Sequence, residues 1–450
     1  MQTRHRTDLT KGPITKQLIA LTIPVFLSTL LQLLYTSADR AVAGLYGGQI
    51  ALAAVGSTGT ATNLLLALFN GLSAGATVVI SNFLGARKEQ DKRTAMHTSI
   101  LLAAICGLFM GGAGVFLSKP ILQLMSAPAD VLGKATVYMQ IYLAGSPFSL
   151  VFNFGAAILR SHGDNKRPTW ILIITGLLNV VLNLFFVIVC GIPVAGVALA
   201  TIISQAASAV WVLIILFNPK DEYQMSTREL TFDKKNLATI VRIGVPCGIN
   251  TMLFSLANMI LQSTINTFGS VEVAGGVAAD SVNNLNFAIS AALYTSCVTF
   301  SGQCYGARKF DRLTKLLRTG LLIGTLVGLV CTAVCMIFPE PLLKIFAKEP
   351  GVIAAGAQKL SITCLTIAPY SCSQVLMGVL RGMRRSTGPT VLNIFSICLP
   401  RLLWIFFVFP FCPTIRFLYI CVPISNILNT LVLAVYYFIE RKKLYREVEL

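Results

Sequence analysis

Twelve apolar runs, most of them near or above the roughly 20 residues that a helix needs to cross a bilayer core, leave this chain of 450 residues few folds to adopt. They lie near 17–38, 51–80, 95–117, 135–158, 168–190, 194–217, 237–267, 273–300, 316–338, 352–378, 389–409 and 415–439. Hydrophobic residues make up 55% of the chain and charged ones 12%, whereas soluble domains carry about a quarter charged residues. In lipid every backbone polar group must be satisfied within the protein, so such runs are read as helices. The expectation is an all-α membrane protein with twelve transmembrane helices. The first sixteen residues are polar, and the run behind them is too long for a signal peptide and lacks a small-residue cleavage site. The first helix is therefore expected to stay.

The net charge of +18 would suggest nucleic acid in a soluble protein, but the placement of the basic residues overrides that reading. Lys and Arg cluster in alternate connections: Arg87 to Arg93, Arg160 to Arg167, Lys220 to Lys235, Arg308 to Lys315, Arg381 to Arg385, and Arg441 to Arg446. With the amino terminus inside, every one of these groups is cytoplasmic, as the positive-inside rule requires. The expected location is the plasma membrane of a bacterium, with both termini cytoplasmic and no nucleic-acid partner. The twelve cysteines form no CxxC pair and lie mostly in apolar runs, where they read as small buried hydrophobes.

The chain also resembles itself. "GARK" at 85–88 returns at 306–309, a shift of 221 residues. On the same offset Asn63 meets Asn284, Gly107 meets Gly328, Pro120 meets Pro341, and the dipeptides LR, PT and IS at 159, 168 and 203 recur at 380, 389 and 424. One further residue of shift brings Pro24 onto Pro246. Six spans per half is an even number, so both halves enter from the same side and the repeat is parallel, with a pseudo-two-fold axis along the membrane normal. The polar stretch 218–236 reads as a cytoplasmic linker between a six-helix lobe at 1–217 and a second at 237–450. Two lobes about a central cavity suit secondary transport.

Polar residues in the spans are the candidate working parts. Ser28, Gln32, Tyr35 and Asp39 fall at steps of four, three and four, on one face of the first helix. A carboxylate at a helix centre costs roughly 2.5–3.5 kcal/mol on insertion scales, so it persists only beside water, a partner or an ion. Asp39 and Arg40 also stand near the external end of their helix, where they would simply mark the interface; both readings are open. In the seventh helix Asn258, Gln262 and Asn266 make a polar stripe, and Asn284 follows in the eighth. These are cavity lining or interhelical hydrogen bonds, which contribute about 0.6 kcal/mol each. Arg401 lies halfway along its run and Asp280 a few residues inside the eighth helix; a pair between them would satisfy both. Gly107 and Gly111, and Gly320, Gly324 and Gly328, make small faces for helix packing. There is no GxxxxGK[ST] loop, and His5, His97 and His162 fall in or beside cytoplasmic polar segments, so no enzyme or ATP-driven pump is expected.

Taken in order, "IPVFLSTLLQLLYTSADRAVAG", "ISNFLGARKEQDKR", "LRSHGDNKRPTWILIITGLLNVVLN", "AGVALATIISQ" and "GQCYGARKFDR" resemble the MATE family of multidrug and toxic compound extrusion transporters, from about residue 13 to 440. The resemblance implies an antiporter that exports amphipathic, often cationic, drug-like molecules in exchange for H+ or Na+, working as a monomer with no other cofactor. It implies a cation-coupling site at Asp39 with Asn179, Asn183 and Thr201, and Tyr35, on the same helical face as Asp39, is expected to belong to that site. Pro24 would be the hinge of the first helix. The sequence departs from the family pattern at Asn183, where an acid is common, and sodium and proton both remain open as the coupling ion. Gln32, Asn258, Gln262, Asn284 and Arg401 are the expected substrate-cavity residues. A lipid-linked oligosaccharide flippase of the same superfamily is the alternative, although it would want a strongly basic cavity, and the membrane interior here offers little beyond Arg401.

Overall fold

A computed structural model describes residues 8–124, 129–221, 223, 225–226, 228 and 230–449. The molecule is 89% helical, with no strand among the described residues. Among the described residues twelve long helices follow the twelve expected runs. The first six are α1 (Ile14–Gly48), α2 (49–85), α3 (Glu89–Leu124), α4 (Ala129–Ala144 and Ser146–Ser161, bent by 45° at Gly145), α5 (Lys166–Val189) and α6 (Pro193–Phe217). The second six are α7 (Lys234–Phe268), α8 (Ser270–Gly306), α9 (Phe310–Ile337), α10 (Pro350–Gly382), α11 (Thr387–Phe411) and α12 (Ile415–Glu449). Among the described residues ten helices are long and apolar enough to cross a membrane, and the bent α4 makes an eleventh. The helix α8 is not among them; it is long enough, but Glu272, Asp280, Asn283, Asn284 and Asn286 dilute its apolar character.

The internal repeat is written into the backbone. Gly48 (φ 75°) and Gly269 (φ 100°) occupy the left-handed region at matching turns. So do Arg87 (φ 57°) and Arg308 (φ 54°), and Gly163 (φ 82°) and Arg384 (φ 62°), each pair 221 residues apart. The last four close helices in one pattern. Lys88 N donates to Phe83 O and Arg87 N to Leu84 O, and the same two bonds recur at Gly163, Arg308 and Arg384. Paired bonds of this kind satisfy the last carbonyls of a helix around one left-handed residue.

Two compact units result, one built on Leu27–Gly248 and the other on Leu9–Phe26 with Ile249–Leu450. These divide the chain at other points than the linker at 218–236, and the reason is local. In the second unit Arg312 holds the segment before α1, donating from Nε to Leu9 O (2.7 Å), from Nη1 to Gly12 O and from Nη2 to Lys11 O. In the first unit the start of α7 lies against α2 backbone to backbone: a Cβ on Gly71 would stand 2.3 Å from Gly248 N, and one on Gly75 2.5 Å from Ile240 O. The expected small faces also form contacts of this kind. Gly107 meets Pro147 and Gly328 meets Ala368, so α3 packs on α4 and α9 on α10.

Candidate functional site

In the first unit α1 and α5 are joined by a ladder of polar contacts. Ser28 shares a hydrogen bond of 2.6 Å with Thr169, the Tyr35 hydroxyl donates to Leu172 O (3.0 Å) and Ile173 O (3.3 Å), and Asn183 Nδ2 donates to Asp39 Oδ1 (2.5 Å). Residue numbers rise together along both helices, so α1 and α5 run parallel. Gly176 makes the middle rung, because the Tyr35 ring occupies the place of a side chain; a Cβ there would fall 1.8 Å from Tyr35 Cζ.

Asp39 is the end of this ladder and the start of a chain of neutral groups. Asn183, buried completely, also donates to Asn179 Oδ1 (3.2 Å), and Asn179 Nδ2 reaches the Thr201 hydroxyl on α6 (3.5 Å). Thr201 lies against the Asp39 carboxylate as well, while Arg40 acts on that carboxylate only through space. Tyr138 and Tyr142 of α4 stand close enough to feel its charge. The four residues Asp39, Asn179, Asn183 and Thr201 are thus brought together, and Tyr35 is not part of the cluster: its hydroxyl is spent on the α5 backbone. Asn183 Oδ1 is buried and has no hydrogen-bond partner. Carboxylate, amide and hydroxyl oxygens of this kind suit one small hard cation, with a single negative charge to balance it. A widened turn follows at Phe185–Val189, two residues beyond Asn183; such turns often mark functional sites.

The second unit uses the matching helices differently. Asn393 Nδ2 donates to Asn250 Oδ1 (2.6 Å), and Arg401 Nη1 to Asn258 Oδ1 (2.8 Å). Arg401 is 2% exposed; its Nε donates to Ser425 Oγ (3.0 Å) and its guanidinium lies 5.4 Å from the Phe254 ring centroid. It therefore has neutral partners, and the pair with Asp280 that the sequence suggested does not form. Asp280 is bound by Lys359 of α10 at 2.7 Å. Gln262 donates to Asn266 within α7, and Gln32 and Asn284 are exposed. Sequence reasoning passed over Lys359, although an isolated cation early in the run 352–378 was a legible signal, and over Gly176, whose role no local pattern announces.

A family model described as MatE matches residues 24–185 and 246–406, more than half of the chain. The chain belongs to this family of transporters and is not an enzyme. Among curated proteins it is 26% identical over 394 residues to the probable multidrug resistance protein YoeA of Bacillus subtilis (strain 168), covering 86% of this chain and 85% of that one. It is also 26% identical to the probable multidrug resistance protein NorM of Thermotoga maritima, covering 86% of this chain and 84% of the relative. Among solved structures, an outward-facing multidrug resistance MATE transporter of the MOP superfamily matches with a TM-score of 0.92 at 23% identity, over 99% of this chain and 100% of that one. A MATE structure in a bent conformation gives 0.92 at 22% identity over 100% of both. At these identities the structures speak for the fold, which is the twelve-helix fold in two lobes.

Proposed function

We propose that this MatE-family chain is a secondary exporter of amphipathic and cationic drug-like molecules, and that it exchanges them for a monovalent cation taken up at Asp39. The substrate class follows the relatives, which are described as multidrug resistance proteins. One observation carries the coupling role: Asp39 sits within a spanning helix beside neutral amides and a hydroxyl, and among the described residues no cation is bonded to it, Arg40 acting only through space. An intramembrane carboxylate so placed marks a site where a cation from solution can bind.

In the cycle we infer, substrate occupies the exporter from the cytoplasmic side and is released outside as Na+ or H+ arrives at Asp39. Return with the cation bound resets the protein. One charge moving through 100 mV yields about 2.3 kcal/mol, which supports fewer than two decades of concentration ratio at about 1.4 kcal/mol per decade. A one-for-one exchange of monovalent cations is electroneutral, so the cation gradient alone would drive it.

The test is efflux of a fluorescent cationic dye in inverted vesicles under an imposed pH gradient and, separately, an imposed sodium gradient. Asp39→Asn is expected to bind dye and to lose uphill transport, and the gradient that drives the wild type names the ion. Uphill transport by Asp39→Asn at the wild-type rate would end this reading.

A further inference from the structure

The second unit holds a carboxylate on α8 that the coupling cycle does not use. Asp280 of α8 binds Lys359 Nζ at 2.7 Å through Oδ2. The same ammonium donates to Gly276 O at 3.2 Å and stands 5.5 Å from the ring centroid of Tyr419 on α12. Lys359 is almost wholly buried, at 6% side-chain exposure, whereas Asp280 retains 47%. The charged and titratable groups gathered here are Glu272 and Asp280 from α8, Lys359 from α10 and Tyr419 from α12.

The two units therefore treat an acid in opposite ways. Among the described residues the hydrogen-bonding partners of Asp39 are neutral, while Asp280 has a cation supplied by its own chain. The offset of 221 sets Lys359 on Tyr138, which stands near Asp39, and Asp280 on Gly59, so the repeat has not copied this pair but placed it anew. A lysine buried in a spanning helix is unfavourable by itself and persists where a partner repays its desolvation. The oxygens that hold Nζ belong to a carboxylate and a backbone carbonyl, donor types that a small hard cation takes, and the Tyr419 ring lies beside them.

We propose that the Lys359 ammonium is a tethered substitute for an exchangeable cation: it fills an oxygen-lined site at Asp280 and so closes the second unit to Na+ and H+. The inference rests on the reading of Asp39 as the exchanging carboxylate only for its consequence, which is a single cation per cycle. Lys359 acts here through Asp280 and is a positioning residue; without its amine the site takes an inorganic cation from solution.

The experiment reads the salt response of unfolding in full-length protein in nanodiscs, in an Asp39→Asn background that silences the first unit. Midpoints are compared in sodium chloride and in choline chloride at equal ionic strength, and at mildly acidic and alkaline pH. The single variant is expected to be indifferent to the choice of cation. Adding Lys359→Gln is expected to lower the midpoint by several degrees in alkaline choline, with recovery in sodium or on acidification; the recovering condition names the occupant. Adding Asp280→Asn as well is expected to abolish that response. Equal midpoints for the Lys359→Gln form in all four conditions would overturn the proposal. So would a Lys359→Gln form that cannot be prepared in any of them while the form with Asp280→Asn folds, since no solution cation then replaces the amine. Because Asp39 is absent throughout, failure of the coupling role at Asp39 leaves this result readable.

Discussion

At the scale of single residues, the candidate cation site depends on which neutral groups face one carboxylate. Asp39 owes its position to Asn183 and to the rungs beneath it, where Tyr35 rests on Gly176. A methyl group at 176 would collide with the ring, and overpacking of this sort costs about 1–3 kcal/mol. Gly176→Ala is expected to lower thermal stability in detergent by that order and to weaken transport with it. Adding Tyr35→Leu, which removes the ring, is expected to restore most of the stability. A Gly176→Ala protein as stable as wild type would show that Tyr35 does not occupy that space. The spacing of Tyr35 and Asp39 on one helical face was readable from the sequence. That Tyr35 would bond α5 rather than join the cation cluster was not, because helical spacing shares out faces without saying what lies opposite.

At the scale of helices, a regular feature of the described residues is the set of turns that the positive-inside reading puts in the cytoplasm. Four of them end on a left-handed residue with the same pair of closing hydrogen bonds, yet three of those residues are arginines. A left-handed L-residue is disfavoured by roughly 1–2 kcal/mol, a penalty that glycine escapes. Arg308→Gly is accordingly expected to be neutral or to stabilise by up to about 1 kcal/mol, once the greater flexibility of the unfolded chain is counted. Gly163→Ala is expected to destabilise by about 1 kcal/mol or more. Thermal or denaturant unfolding of the two variants checks the pair of signs, and the same sign for both would contradict the turn geometry. Retaining arginine where glycine fits better is consistent with these residues serving the positive-inside signal, a task of membrane insertion rather than of folded stability.

At the scale of the whole molecule, two of the passages of the chain between its compact units, after Phe26 and after Gly248, come two residues beyond a proline of the repeat, Pro24 and Pro246. Proline removes a helical hydrogen bond and permits bending there, which suits the hinge role that the resemblance implied for Pro24. Orientation can be tested with residues the protein already has. Cys190 and Cys412 are exposed at the α5–α6 and α11–α12 turns, which the positive-inside reading puts outside the cell. A membrane-impermeant maleimide is expected to label both in intact cells and neither in sealed inverted vesicles. The reverse pattern would invert the topology and, with it, the direction assigned to export.

The sequence by itself determined the membrane class, the twelve helices, the duplication and the place of Asp39 on one face of the first helix with Ser28, Gln32 and Tyr35, because each depends on local composition or on a period along one chain. Tertiary structure alone decided who pairs with whom. Asn183 reaches Asp39 across 144 positions, Arg401 reaches Asn258 across 143, and Lys359 reaches Asp280 across 79. Such contacts depend on how each helix is rotated about its axis and on which neighbour it meets, and the packing of large and small side chains sets both. For that reason Arg401 and Asp280, the two intramembrane charges that invited pairing in the sequence, each took a different partner in the fold.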